Sequence, residues 1–330
     1  MDERSAIFVF EYVCGGGLAG QALPRDLVPQ GRAMLRAVVD DLVAAGLTVW
    51  TTCDHRLDLQ LAGAHVDVIE SATACRRHFE QRASGAADTL VIAPESERIL
   101  EQWSGRLKKL GARTLGCDLG AIRLCADKLA TARHLTSAAI ATPPTERACT
   151  WSPRTTSACR LVIKPRFGAG CERTAIFRPS QWQRPPETDL IVQPYVEGLS
   201  ASISMLVHQD VVRLLPAGQQ TIRRDGQRLT FVGVRLPLAE PLGRRCRALA
   251  AQVAAAVPGL NGFVGIDLVL AADPADDCVL EINPRLTVSY PALRAACRTN
   301  LALAILDPAA ELKWDASPVD FDAAASITAA

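Results

Sequence analysis

The stretch that decides the fold is "GFVGIDLVLAADPADDCVLEINPR", residues 262–285. Two apolar runs flank the turn sequence "AADPADD", a pattern typical of an antiparallel hairpin. With the turn centred on Pro274, Asp267 on the outgoing strand falls opposite Glu281 on the returning strand. Asn283 lies two residues further along and therefore on the same face. The hairpin is predicted to present two carboxylates and an amide side by side.

These three side chains suggest a metal site. Like charges that face each other destabilise a sheet unless a cation lies between them. Carboxylate and amide oxygens suit Mg²⁺ or Mn²⁺, and Mg²⁺ often completes its shell with substrate phosphates. We therefore predict that Asp267, Glu281 and Asn283 bind the metal together with a nucleoside triphosphate, beside Arg285, whose guanidinium can hold a phosphate or a carboxylate at two points. The alternative is a solvated hairpin with chance acids, which the apolar runs around Asp267 and Glu281 disfavour.

A second motif, "VIKPRFGAGCE", resembles a cover over phosphates. Lys164 closes an apolar strand, and Gly168 and Gly170 give the next loop backbone N–H groups that can close over a phosphate. The chain contains no P-loop motif. Lys128, early in a predicted helix, is a second candidate phosphate cation, and its alternative is a solvated surface lysine.

The stretch "LIVQPYVEGLSAS" predicts a nucleotide-binding hinge. A buried strand breaks at Pro194 and Gly198, which frees main-chain groups able to read an adenine edge. The alternative is an ordinary strand exit.

The stretch "FEYVCGGGLAG" near the N-terminus fits the G-x-G-x-x-G pattern of a dinucleotide-binding turn. In such a site the turn runs directly into a helix whose N–H groups meet the pyrophosphate. Here Pro24 and Pro29 interrupt the following residues, and the helical pattern starts only near Gly31. A nicotinamide or flavin site is therefore disfavoured. The glycines either offer backbone donors to a carboxylate or phosphate, or form a purely structural tight turn.

Apolar runs alternate with helical patterns in the first part of the chain, as in "TLVIA" followed by a helix predicted over residues 95–110. This alternation predicts a parallel sheet covered on both faces. Further helices are predicted over residues 127–140 and 240–257, and β-hairpins dominate beyond Trp151. The alanine-rich tail after Lys313 has weak patterning and is expected to be loosely held.

Composition narrows the function classes. Thirty-six basic and 35 acidic residues give a net charge of +1 without a polybasic run, so no nucleic-acid or membrane partner is expected. The first residues lack a signal-peptide pattern, and no apolar run approaches the roughly 18 residues of a membrane helix, which predicts a cytoplasmic protein. Eleven cysteines without any C-x-x-C argue against a zinc site and a disulfide framework.

The order of Lys128, Lys164 with its glycine loop, "QPYVEG", "GIDLVL" and "EINPR" resembles the ATP-grasp superfamily over roughly residues 120–290. The resemblance implies an α/β and α+β fold in which two α+β lobes clasp ATP behind an N-terminal parallel α/β domain, the pre-ATP-grasp domain. The implied division is residues 1–120 for the N-terminal domain, 121–198 for the central lid lobe, 199–312 for the C-terminal lobe and 313–330 for a tail.

The resemblance also implies roles for individual residues. Backbone groups around Tyr195 and Val196 would bind adenine, and Ser200 stands where many relatives carry a ribose-binding acid. The implied nucleotide-binding residues are Lys128, Lys164, Gly168, Gly170, Gln193, Tyr195, Val196 and Ser200. The implied metal ligands are Asp267, Glu281 and Asn283; the catalytic residues are Arg285 and Lys164; and the substrate residues are Gly15, Gly16, Gly17, Glu95, Arg285 and Tyr290. Glu95, at the end of the "TLVIA" strand, is a candidate to hold the substrate ammonium, with Tyr290 contributing to the pocket, and the alternative is a structural role for both.

Within the superfamily, "FEYVCGGGL", "LVIAPE" and "EINPRLTVSYPALR" are similar to the tyramine–glutamate ligases of methanofuran (methylofuran) biosynthesis. This implies an ADP-forming ligase that activates glutamate as an acyl phosphate and transfers it to a small-molecule amine, tyramine or tyrosine. Family habit also implies a homodimer. The alternatives are another ATP-grasp amino-acid or peptide ligase and a nucleotide-binding regulator without turnover.

Overall fold

The computed structural model describes residues 6–153, 159–171, 173–209 and 211–323. Within these residues the chain forms a four-stranded parallel sheet near the N-terminus and an 11-stranded antiparallel sheet that contains all the later strands. None of the helices in these ranges combines the length and the apolar character that crossing a membrane requires.

The N-terminal sheet is parallel throughout, as the alternation of strand and helix predicted. Its strands are β1 (Ile7–Glu11), β2 (Val49–Asp54), β3 (His65–Ile69) and β4 (Asp88–Ile92), in the order β3-β2-β1-β4. Because the chain adds β2 and β3 on one side of β1 and then crosses back to place β4 on the other side, the carboxyl ends of β1 and β4 form the crevice where open parallel sheets bind ligands. Aromatic rings of Phe8, Phe10, Phe79 and Trp103 pack together on one face.

Three helices cover this sheet: α1 (Leu27–Ala44), α2 (Ala72–Gly85) and α3 (Ile99–Leu110). Helix α1 begins at Leu27, earlier than the predicted start near Gly31. Proline is tolerated at position 29 because the N–H groups of the first helical turn have no partner within the helix, so the N–H that Pro29 lacks is not needed. Helix α3 begins later than the predicted residue 95. Glu97 and Arg98 have φ of 53° and 60°, a left-handed backbone that breaks the helix before Ile99.

Two helices, α4 (Leu119–Ala126) and α5 (Lys128–Ser137), replace the single helix predicted over residues 127–140. They meet at Asp127, whose backbone is extended and whose side chain caps α5 by accepting from Leu129 N and Ala130 N. The implied domain boundary between residues 120 and 121 therefore falls inside a helix. The junction at Asp127 is the sharper break in the chain.

The larger sheet holds the remaining strands. These are β5 (Glu146–Arg147), β6 (Leu161–Pro165), β7 (Ala175–Phe177), β8 (Leu190–Pro194), β9 (Leu199–His208), β10 (Val211–Leu214), β11 (Gly218–Asp225), β12 (Arg228–Leu236), β13 (Gly262–Leu270), β14 (Cys278–Asn283) and β15 (Val319–Asp322). The order is β14-β13-β9-β11-β12-β7-β6-β8-β5, with β10 on β9 and β15 on β12.

The β14–β12 part of this sheet is joined to the β7–β5 part at one register pair, Arg228 of β12 with Ala175 of β7. Helices α6 (Glu240–Ala256), α7 (Tyr290–Ala296) and α8 (Leu303–Leu306) pack around the C-terminal lobe. The expectation of a loosely held tail is wrong as far as Asp322, because β15 pairs with β12. Residues 324–330 lie outside the described residues.

Candidate active site

The β13–β14 hairpin has the predicted pairing at its acidic end: Asp267 lies opposite Glu281, and Gly265 lies opposite Asn283. Nearer the turn, however, Leu268 pairs with Val279, so Leu280 is an extra residue. This bulge matters because a shift of one residue reverses which face a side chain points to. With a regular ladder from the turn, Glu281 would face away from Asp267.

Two amides orient the carboxylate of Asp267. Gln220 Nε2 donates to Oδ1 at 2.8 Å, and Asn283 Nδ2 donates to Oδ2 at 3.1 Å. Burial and then the neighbouring charge of Glu281 raise the pKa of Asp267 to about 6. A divalent cation between the two acids would remove the repulsion that raises this pKa. Gln220 carries no sequence signal of its own, and sequence reasoning missed it.

Lys128 lies in the same cluster. Its Nζ atom is 3.3 Å from Glu281 Oε1 and donates to the carbonyl oxygen of Gly168, and its side chain is only 5% exposed. The alternative of a solvated surface lysine is therefore wrong. The lysine instead connects the glycine loop to the acid pair.

Lys164, at the end of β6, completes the cluster and is buried. Burial lowers its pKa, the charge of Glu281 opposes that effect, and the charge of Lys128 adds to it. The same acids act on Cys171 in the glycine loop. Burial, followed by the charges of Asp267 and Glu281, raises the pKa of its thiol to about 11. The glycine loop, both lysines and both acids thus belong to one largely buried cluster, in which Lys128 contacts both Gly168 and Glu281.

The predicted hinge follows β8. Gln193 is buried and donates to Thr145 Oγ1 at 2.8 Å, so its amide has a partner within the protein. The Tyr195 N–H is also engaged, with the carbonyl oxygen of Arg160 at 2.8 Å. Within the described part of the chain, the backbone N–H and C=O of Val196 make no hydrogen bond. Val196 therefore has main-chain groups left for a planar ring such as adenine.

Two further predicted nucleotide residues lie at the edges of the cleft. Ser200 on β9 pairs with Val269, two positions along from Asp267, and therefore lies on the face of the sheet that carries the acids. Gly170 has a φ of 62°, in the left-handed region that favours glycine. Both positions are compatible with the roles that the resemblance implies.

Arg285 and Glu95 bind each other. Arg285 Nε is 2.8 Å from Glu95 Oε1, and Nη2 is 2.9 Å from Oε2. We predicted that Arg285 would hold a substrate carboxylate at two points and that Glu95 would hold an ammonium. In this structure each side chain already satisfies the other, so either role first requires the pair to separate.

Glu11, at the carboxyl end of β1, is a buried acid that sequence reasoning missed. Its Oε2 accepts the Cys14 N–H at 2.6 Å. A Cβ atom on Gly31 of α1 would lie 2.8 Å from the carboxylate atoms, so glycine at that helical position makes room for the acid. Burial raises the pKa of Glu11 to about 7, with Arg285 acting in the opposite direction. A glycine inside the apolar stripe of a helix was the available signal.

The glycine turn after β1 is mainly structural. Gly15 N donates to the Glu11 carbonyl at 2.7 Å, and Gly17 N donates to the Tyr12 carbonyl at 2.9 Å. A Cβ atom at Gly15 or Gly17 would overlap backbone or ring atoms, and Gly16 has a φ of 91°. The prediction that this turn offers Gly15 and Gly17 donors to a substrate is wrong, because both N–H groups are used within the turn.

Tyr290 does not line the cleft. Its side chain is fully buried, and its hydroxyl donates to Asp41 Oδ2 on α1 at 3.0 Å. Its ring packs edge-on against Phe263. The prediction that Tyr290 contributes to the substrate pocket is contradicted by this packing, which joins α7 to α1 in the core.

The donor set suits magnesium better than zinc. In the described ranges no three or more His, Cys, Asp or Glu side chains come together as a metal cluster. Two carboxylates and an amide leave most of a coordination shell open, as Mg²⁺ requires when it also binds water and phosphates. Asp267, Glu281 and Asn283 therefore fit this ion.

Comparison with known families accounts for this arrangement. Residues 125–289, half of the chain, match the family model described as the ATP-grasp domain. The chain belongs to the ATP-grasp family. Residues 47–122 match the pre ATP-grasp 3 domain. The ATP-grasp region contains both lysines and the acidic hairpin, whereas Glu95 lies in the pre-ATP-grasp region and reaches the ATP-grasp region through Arg285.

Two curated proteins and one solved structure are similar to this ATP-grasp chain. Tyramine–L-glutamate ligase of Methanocaldococcus fervens is 28% identical over 205 residues, covering 62% of this chain and 60% of that ligase. The same-named ligase of Methanocaldococcus jannaschii is 27% identical over 217 residues, covering 66% and 60%. The alignments thus span about 60% of the length of these relatives. A putative ATP-grasp superfamily protein from Archaeoglobus fulgidus has the same fold, with a TM-score of 0.73 at 24% identity over 94% of this chain and 89% of that one.

Proposed function

We propose that this ATP-grasp protein is an ATP- and Mg²⁺-dependent carboxylate–amine ligase that joins L-glutamate to tyramine or tyrosine and releases ADP and phosphate. The observation that carries the proposal is the cluster of Lys128 and Lys164 beside the facing acids Asp267 and Glu281. Burying two lysines and two acids together is costly, because their mutual attraction offsets the lost hydration only in part. A metal–triphosphate complex supplies the positive charge that the acids lack and the negative charge that the lysines lack.

The chain's own residues account for the first half of the reaction. Lys128 and Lys164 neutralise the phosphate oxygens, and the loop of Gly168 and Gly170 closes over them and excludes water. When bound by the acids and Asn283, Mg²⁺ offsets the charge on the phosphates. The carboxylate of glutamate attacks the γ-phosphorus, ADP leaves, and an acyl phosphate results.

The amino acid binds, and the amide forms, in the crevice between β1 and β4. Glu11 ends β1, and Glu95 follows β4 and binds Arg285 from the other lobe. An amino acid carries the same two charges as this ion pair. Its carboxylate can therefore replace Glu95 on Arg285, while its ammonium takes the place of Arg285 on Glu95. The amine substrate then attacks the activated carbonyl, forms the amide and displaces phosphate.

The substrate class is supported by the named relatives. Both curated proteins are tyramine–L-glutamate ligases, and their identity to this chain, 27–28%, extends over most of its length. The motifs that carry the resemblance include the strand end with Glu11 and the segment with Arg285, which are the two sides of the crevice. Methanofuran or methylofuran assembly is the pathway that this substrate pair implies.

The test is a product assay with the purified chain, ATP, MgCl₂, L-glutamate and either tyramine or tyrosine. We expect ADP, phosphate and the glutamyl amide, identified by its mass, to form in equal amounts. None of the three should form when either glutamate or the amine is left out. A panel of other amino acids and amines in the same assay identifies another amino-acid or peptide ligase. ATP binding without any product across the panel would overturn the ligase and leave a nucleotide-binding regulator.

A further inference from the structure

The start of α5 and the residue after β6 are tied together by a partly buried ion pair. Arg166 Nε donates to Asp127 Oδ1 at 2.7 Å, and Arg166 Nη2 donates to Asp127 Oδ2. The two side chains are 19% and 13% exposed, which is far less than most ion pairs in this chain. A backbone bond adds to the contact, because Lys128 N donates to the Arg166 carbonyl at 3.1 Å.

The same carboxylate holds the helix. Asp127 Oδ1 also accepts the Leu129 and Ala130 N–H groups at 3.1 and 3.2 Å, so one side chain both caps α5 and binds β6. Burial raises the pKa of Asp127, but the bonds from Arg166 and the capped N–H groups outweigh it and hold that pKa below its ordinary value. The carboxylate is thus charged near neutral pH and fully engaged.

The two tied segments are the ones that carry the lysines of the cleft. Lys128 directly follows Asp127, and Lys164 precedes Arg166 by two residues on β6. The lysines come from different elements, yet both ammonium groups act on Glu281, and the charge of Lys128 lowers the pKa of Lys164. Because the two like charges repel each other, the contact between the start of α5 and the residue after β6 helps to hold their backbones at a fixed distance.

We propose that the Asp127–Arg166 ion pair is a clamp that sets the spacing of Lys128 and Lys164 for a triphosphate. The inference rests on the proposed nucleotide site and adds two positioning residues to it. Arg166 and Asp127 act through the lysines. Their geometry suits this task, because a two-point bond between planar groups fixes orientation as well as distance, which a single-point lysine contact cannot do.

The clamp is distinguishable from a merely stabilising ion pair. An ion pair that only holds the fold lowers the thermal midpoint when it is removed and leaves the affinity of the folded protein for ATP unchanged. A clamp changes that affinity in the folded protein, because the lysines then reach the phosphates only part of the time. The readout is therefore the dissociation constant for ATP with Mg²⁺, measured by titration calorimetry below the thermal midpoint of each variant.

Three variants separate the clamp from the cap. Arg166→Met removes the ion pair and keeps the cap, whereas Asp127→Ser removes the ion pair and keeps an N-cap residue. We expect about tenfold weaker ATP binding for each, and about the same for the double variant, because both substitutions break one interaction. Arg166→Lys, which retains charge but cannot bind at two points, should fall between wild type and Arg166→Met and serves if Arg166→Met does not fold.

Arg298→Met is the matched control, since Arg298 forms an exposed pair with Asp315 at 2.9 Å outside the cleft. It should leave the ATP affinity unchanged. Wild-type affinity in folded Arg166→Met or Arg166→Lys, or losses that add in the double variant, would overturn the clamp while the ligase stands. If the wild-type chain itself does not bind ATP, the nucleotide site of the proposed function fails and the clamp fails with it.

Discussion

Glu95 and Arg285 lie 190 positions apart in the chain and form a two-point ion pair, with N–O distances of 2.8 and 2.9 Å. The pair connects the carboxyl end of the parallel sheet to the segment that follows the acidic hairpin. Both side chains are largely buried. The contact therefore joins the carboxyl end of the N-terminal sheet to the segment after the acidic hairpin of the ATP-grasp domain.

Breaking this ion pair should be costly. In Glu95→Gln the buried Arg285 guanidinium loses the only carboxylate that holds it at two points in the described residues, and we expect the free energy of unfolding to fall by about 3 kcal/mol. Urea unfolding measures the change. Glu311→Gln, which removes an exposed partner of Lys313, is the control and should change stability by less than about 0.5 kcal/mol. An equally small loss in Glu95→Gln would show that the pair contributes nothing to joining the two parts.

Glu281 should be essential for turnover and dispensable for folding. Glu281→Gln keeps the shape of the side chain but removes one of the two charges that hold the metal, and we expect the rate of ADP formation to fall at least about 100-fold. The circular dichroism spectrum should stay that of the wild type. Full Mg²⁺-dependent activity in this variant would contradict the metal assignment.

Glu11 should make stability depend on pH. Its pKa in the folded protein is about 7 against an ordinary 4.5, so between these values the folded state binds more protons than the unfolded state. Stability should therefore fall as pH rises from 4.5 to 7, by at most about 3 kcal/mol from this group. Thermal midpoints of wild type and Glu11→Gln across this window test the sign, and the slope should be smaller in the variant. A parallel pair of curves would exclude Glu11 as the cause.

Gly31 should resist replacement although it lies inside a helix. A methyl group there would be 2.8 Å from the Glu11 carboxylate, and we expect Gly31→Ala to destabilise by about 1–3 kcal/mol despite the better helix propensity of alanine. Gly105 in α3 is the matched control, because no atom lies within 4 Å of its Cβ position. Gly105→Ala should stabilise the protein by up to about 1 kcal/mol. The two free energies of unfolding should thus change in opposite directions, and a stabilising Gly31→Ala would refute the contact.

Local patterns in the sequence were enough for several features. The facing of Asp267 and Glu281 was predicted from one hairpin, and the parallel sheet was predicted from alternating strand and helix, because both depend on residues near each other in the chain. The placement of Lys164 at the end of a strand and of Lys128 early in a helix was also predicted from local motifs. The bulge at Leu280 was not visible, since a bulge depends on how neighbouring strands pair rather than on composition.

Other features needed the tertiary structure. The sequence left Tyr290 and Glu95 as either substrate contacts or structural residues, and packing against α1 and pairing with Arg285 decide what they touch. Glu11 was overlooked because a single acid at a strand end says nothing about the glycine that accommodates it. The sequence by itself determined the fold, the facing acids of the β13–β14 hairpin and the family, because these rest on short-range periodicity and motif order. Only the tertiary structure decided which charges neutralise each other, because Coulomb energy depends on distances that the chain sets by folding.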